Sequence, residues 1–244
     1  MTISDKAWSR YIAALRKVSK KAASEMEIFA ATNPTRRQLT DKAVELVAKY
    51  GEATAALAAE YCNKIALASG ILADSQAAMD FSTRDISRSL VVNLKHSGTP
   101  EMAGDVVGRL VKMAGVDTVA KNAIRQNAEW AWIPSGETCA FCLALASQGW
   151  QLASARSLRG GHMMHIHPNC DCTYAIRYND KTNVAGYDPA KYKAVYDSAD
   201  GHGSASKINY IRRENYRENR EHILAEQRAA YARREEEKEQ EGEK

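Results

Sequence analysis

The sequence predicts a mainly α protein: an elongated helical body, then a small α+β module, then a long C-terminal helix. Three observations carry this. Aromatic residues are only 7% and prolines only five in 244 residues, while alanine is frequent, a composition that suits helices better than a β-sandwich. Over the first half of the chain apolar residues recur at helical spacing. In the second half, four of the five cysteines and three of the six histidines crowd between Trp132 and Tyr178. The divisions expected are 1–131 for the helical domain, 132–200 for the Cys/His module and 201–244 for the charged C-terminal helix and tail.

From Asp5 to Ala31, Trp8, Tyr11, Ile12, Leu15, Val18, Ala22, Met26 and Phe29 form one apolar stripe, with Ser4 or Asp5 as cap and Asn33-Pro34 as stop. The opposite face carries Arg10, Arg16, Lys17, Lys20 and Lys21. Thr35 or Thr40 starts a second helix to about Ser69, whose small residues allow close packing against the first as an antiparallel hairpin. Cys62, on this helix, reads as a buried small hydrophobe. After Gly70 a helix is expected over Asp74 to Lys95, interrupted near Phe81-Ser82-Thr83. Thr99 or Pro100 starts another that Gly115 ends, and Asp117 caps one more through Ile124, Ala128 and Trp132. Ala140 to Gly149 reads as a short helix, a strand pair is expected to flank His167 to Tyr178, and Asp188-Pro189 starts a helix through Tyr192 and Tyr196.

Cys139 and Cys142 form C-x-x-C after Pro134 and Gly136, and His167, Cys170 and Cys172 form H-x-x-C-x-C, with residues 143–166 between them. Two short-spaced ligand pairs from separate turns are what a tetrahedral structural zinc site takes, so zinc is the expected cofactor. Cys139, Cys142, His167 and Cys170 supply a full set. Cys172 competes for the fourth position, as does His165, and spacing does not choose among them. Asp171 adjoins the ligands, where it is placed to accept a hydrogen bond from an imidazole. Disulfides would use the same cysteines but need an oxidising compartment and leave Cys62 over. A thiolate-rich closed site leaves no position for a reactive water, so the expected metal is structural and no catalytic residues are assigned.

The run from Ile133 to Gly149, with His167-Pro-Asn-Cys-Asp-Cys172 and Gly186-Tyr-Asp-Pro-Ala-Lys-Tyr192, resembles the MuF-like minor capsid, or head morphogenesis, proteins of tailed bacteriophages. The resemblance covers about residues 128 to 200. It implies a low-copy, non-enzymatic head protein, made in the host cytoplasm and resident in the virion head, attached to the portal or to the major capsid protein. It also places Cys139, Cys142, His167, Cys170 and Cys172 at the family's Cys and His positions. The His-rich insert Gly160-Gly-His-Met-Met-His165 departs from the pattern.

The N-terminus lacks a charged stretch followed by an apolar one, and no run of about 18 apolar residues is present, so neither a signal peptide nor a membrane span is expected. The formal net charge of +4 is too small to indicate nucleic-acid binding by itself. It is unevenly spread: residues 204–234 carry eight Lys/Arg against four Asp/Glu, and residues 235–244 carry six Glu against two Lys. Arg212, Arg213, Arg217 and Arg220, interleaved with Tyr210 and Tyr216, are the candidate contact with packaged DNA or capsid, the alternative being a solvated helix face. The competing functions are a DNA-binding accessory protein using that basic helix and a zinc-dependent hydrolase. For the hydrolase, Glu137 and Asp171 adjoin the motif without a base-like setting, and the deaminase pattern H-x-E…P-C-x-x-C is absent.

Overall fold

The computed structural model describes residues 2–3, 5–79, 81–94, 99–135, 138–155, 172–225, 227–229 and 231–232, with side chains from Ala7 onward. The chain is mainly helical. Helix α1 spans Asp5–Ala30 and buries Tyr11, Ile12, Leu15, Ala22 and Met26. Asn33, in the left-handed region at φ 54°, turns the chain, and Thr35 opens α2 (Arg36–Ala68) with a capping box to Gln38. Gly70 at φ 75° ends α2, with the Ile71 N–H reaching back to the Ala66 carbonyl.

Residues 71–79 form neither helix nor strand, whereas the sequence predicts a helix from Asp74 on. Side chains of two helices supply the hydrogen bonds that a strand partner would. Asn63 Oδ1 accepts from the Ser75 N–H, and Asn122 brackets Gln76, accepting its N–H and donating to its carbonyl. Thr118 does the same for Ala78. A capping box between Ser82 and Asp85 then starts α3 (Thr83–Asn93).

The second difference is at Gly115. The sequence reads it as a helix end, yet α4 runs unbroken through it over Pro100–Arg125. Gly115 is there for contact: a Cβ would stand 2.9 Å from Leu15 Cδ1 of α1 and 3.2 Å from the Thr54 carbonyl oxygen of α2. Helix α4 is the central one, with every residue from Leu110 to Ala120 buried. Thr54 Oγ1 donates to the Val111 carbonyl at 2.6 Å, tying α2 to it.

The third difference follows directly. Residues 129–132, expected to be helical, lie in strand β2 (Glu129–Ile133), which follows β1 (Thr2–Ile3), because Asn127 at φ 51° ends α4 and Trp-Ala-Trp-Ile is a short apolar run buried on both faces, as a central strand is. Strand β2 is central in an antiparallel sheet with β3 (Gln151–Leu152) on one side and β4 (Thr173–Arg177) on the other. The register pairs Glu129 with Arg177, Trp130 with Ile176, Trp132 with Tyr174 and Ile133 with Thr173. Between β2 and β3 lies α5 (Ala140–Ala146). Strand β5 (Asn183–Val184) pairs in parallel with β1, and α6 (Pro189–Ser198) and α7 (Ser204–Glu218) follow.

One buried cluster holds Leu15 of α1, Cys62 of α2, Val116 of α4, Trp130 of β2, Cys142 of α5 and Ile176 of β4, so the apolar core runs across position 131/132 without a break. A second fills the other end of the helical body around Met26, Val47, Leu90 and Val107. A third seats α7 on α5 through Ala140, Ala199 and Ile211.

Replacing Gly115 with valine tests this packing. Forcing a side chain between α1, α2 and α4 should cost about 1–3 kcal/mol, read as a fall in Tm of several degrees. An unchanged Tm would mean that the three helices do not meet at this residue.

Candidate metal centre

Strand β2 ends at Ile133 and β4 begins at Thr173, and these two residues are register partners. The chain leaving β2 reaches Cys139 six residues on, and Cys172 immediately precedes Thr173, so Cys172 sits at the strand end from which the chain runs to Cys139. Cys139 caps α5: its sulfur accepts the Cys142 backbone N–H at 3.4 Å. An N–H directed at sulfur favours the thiolate, the form that ligates a metal. Cys142, on the first turn of α5, is 1% exposed and Cys172 is 2% exposed, and both belong to the core cluster against which Cys139 packs.

Among the described residues no disulfide joins Cys62, Cys139, Cys142 or Cys172, and no group of three or more Cys, His, Asp or Glu converges as a metal set. His165, His167, Cys170, Asp171, Glu137 and the Gly160-Gly161 turn lie outside the described residues. The donor chemistry of the three described motif cysteines fits zinc: Cys142 and Cys172 are buried thiols, and the half-buried Cys139 accepts a backbone N–H.

Aromatic residues that the sequence reading did not assign to the site hold α5 in place. Tyr187 donates its hydroxyl to the Ala146 carbonyl, the last residue of α5, at 2.8 Å. Its ring lies 6.1 Å from that of Tyr192 and 6.2 Å from that of Trp150. Burial raises the Tyr192 phenol, and nearby Cys172 adds to the rise. The signal for this clamp is the Gly186-Tyr-Asp-Pro motif, where Gly186 takes φ 78° to turn Tyr187 inward and Asp188 caps α6.

On the sheet, Tyr174 stacks on Trp130 at 4.7 Å and meets Trp132 edge-on at 4.8 Å. Arg177 pairs with Glu129 across the strands and lies 4.6 Å over the Trp150 ring. From the helical side, Arg16 of α1 donates to Ser135 Oγ, fixing the segment that leads from β2 to Cys139. Tyr11 and Tyr61 stack at 4.5 Å beside β4, and burial raises both phenols.

The profile of the VG15 protein family matches residues 2–199. The chain belongs to the VG15 protein family. It is therefore a viral protein, and the VG15 match runs from β1 through α6, taking in the helical body and the cysteine-bearing sheet together. No curated protein and no solved structure shows significant similarity to the chain. Among the described residues no helix of this VG15 protein is long and apolar enough to cross a membrane.

Cys62 separates from the other thiols chemically. Burial pushes its thiol up to about 12, with the positive charge of Arg125 opposing. Alkylation needs the thiolate, so Cys62 should stay unmodified by iodoacetamide at pH 8 in the folded protein and react only on unfolding. Because the unfolded chain ionises first, stability should also fall as pH rises above about 9. Modification of Cys62 at the rate of a surface thiol would contradict its placement between α1, α2 and β4.

Proposed function

We propose that this VG15 family protein is a minor capsid, or head morphogenesis, protein of a tailed phage, non-enzymatic, with one structural zinc. Its partners are the portal, the major capsid protein or both. The observation that carries the proposal is that the sheet register sets Cys172 beside the segment leading to Cys139 and Cys142, inside a core that the VG15 match spans. The MuF-like pattern of Cys139, Cys142, His167, Cys170 and Cys172 agrees with it.

In this reading the protein's own residues orient and enclose the metal. Cys139 and Cys142 hold it from the first turn of α5, Cys172 or Cys170 and His167 close the set, and Tyr187 and Arg16 keep the two supporting segments in register. Bound zinc would supply folding free energy to a short helix and loop with little core of their own. The exposed Arg212, Arg213, Arg217 and Arg220, beyond the last buried residue of α7, Ile211, are the proposed contact to packaged DNA.

Elemental analysis of protein purified without a metal-affinity tag should give about one zinc per chain. Serine at Cys139 or Cys142 should abolish zinc binding and open residues 138–172 to protease. It should also stop incorporation into particles, while β2, β4 and helices α1 to α4, which bury one another, stay protected. Zinc near zero with all motif thiols titrating freely would remove the metal. Serine variants that enter particles normally would remove the structural role.

A further inference from the structure

The cations of α1 are set apart from those elsewhere on the body. Arg10, Lys17, Lys20 and Lys21 are all exposed and share the helix face opposite Leu15, Ala22 and Met26. The sequence places no carboxylate between Lys6 and Ser24. Five other lysines of the fold have acidic partners: Lys42 with Glu45, Lys49 with Glu25, Lys64 with Glu60, Lys121 with Asp117 and Lys193 with Asp197. Among the described residues none of the four stripe cations makes an ion pair. Lys21 lies 5.9 Å from the Tyr50 ring, and the Glu25 carboxyl one turn on is lowered by its hydrogen bond from Tyr50 and by the charges of Lys49 and Lys21.

One stretch of the same chain has the complementary chemistry. Residues 235–244 carry Glu235, Glu236, Glu237, Glu239, Glu241 and Glu243 against Lys238 and Lys244, a net of −4 facing four cations. We propose that the basic stripe of α1 is a docking surface and that its occupant is this acidic segment of the same chain. The two are tethered through one support, since α7 rests on α5 and Arg16, next to Lys17, is bonded to Ser135 on the way into α5. Ten extended residues reach about 33–36 Å, and a tether gives a local concentration in the millimolar range. Exposed ion pairs are individually weak and screened by salt, so docking needs several at once and is salt-sensitive.

The test uses the full chain and a full-chain variant with all six glutamates changed, E235Q/E236Q/E237Q/E239Q/E241Q/E243Q. Carbodiimide joins a lysine amine to a glutamate carboxyl with loss of water, so mass spectrometry reads the contact directly in a mixture of ordinary and ¹⁵N-labelled protein. Links should pair Lys17, Lys20 or Lys21 with a glutamate of 235–244 within chains of one isotope, and should vanish at about 1 M salt, where the Debye length is roughly 3 Å. Acylation of those lysines should be several-fold faster in the glutamine variant. Tail glutamates linked only to other lysines, links joining the two isotopes, or equal acylation in both proteins with protection only when duplex DNA is added would each overturn the proposal.

Discussion

The structure depends on burying α4. Every residue of α4 from Leu110 to Ala120 is buried, and each neighbouring element covers one part of it. Helices α1 and α2 take two sides, closing to backbone distance at Gly104, Gly108 and Gly115, where an added Cβ would meet Ala23, Ser19 or Thr54. The segment 71–79 takes a third, held by Thr118 and Asn122 of α4 itself. Strand β4 covers part of what remains, so the sheet that carries the cysteines is itself one wall of the helical core.

That dependence explains why a metal centre can be placed at a strand end with so little structure of its own. Strand β2 continues directly from α4 through Asn127 and Ala128, whose N–H returns to the Ala123 carbonyl at 2.8 Å. The position of Cys172 is thus set by the β2–β4 register, and that of Cys139 by the short run from Ile133. On this account zinc would order the loop it closes, whereas the sheet that presents the ligands is held by apolar contact with α2 and α4.

The elements with a single-sided apolar stripe were legible in the sequence. Helix α1 was plain from Tyr11, Leu15 and Met26, α2 from a start at Thr35 or Thr40, of which the structure uses Thr35, and α6 from Asp188-Pro189. The same was true of the pairing of Cys139 with Cys142 across one turn. What misled was local chemistry serving a tertiary purpose. Gly115 has the form of a helix end, but a glycine chosen for close packing looks identical in one dimension. Residues 74–82 keep a helical apolar period, yet Asn63, Thr118 and Asn122 offer backbone partners that favour a non-helical path, and these lie 12 to 46 positions away. The tyrosine clamp at Tyr187 was present in a motif already noted, but its target, the Ala146 carbonyl, is a backbone atom and leaves no mark on composition.

The central claim is that helices and cysteine-bearing sheet share one core, and the four tryptophans report on it. Trp8, Trp130, Trp132 and Trp150 all lie in or against the cluster that includes Leu15, Val116 and Cys142, whereas far-ultraviolet dichroism is dominated by the helices. The most direct measurement is therefore equilibrium denaturation of the zinc-loaded protein, followed by tryptophan fluorescence and dichroism on the same samples. The account predicts coincident transitions with one midpoint and one slope. A fluorescence transition completed while the helical signal is still intact would show that the sheet and the helices fold as separate units, and would contradict it.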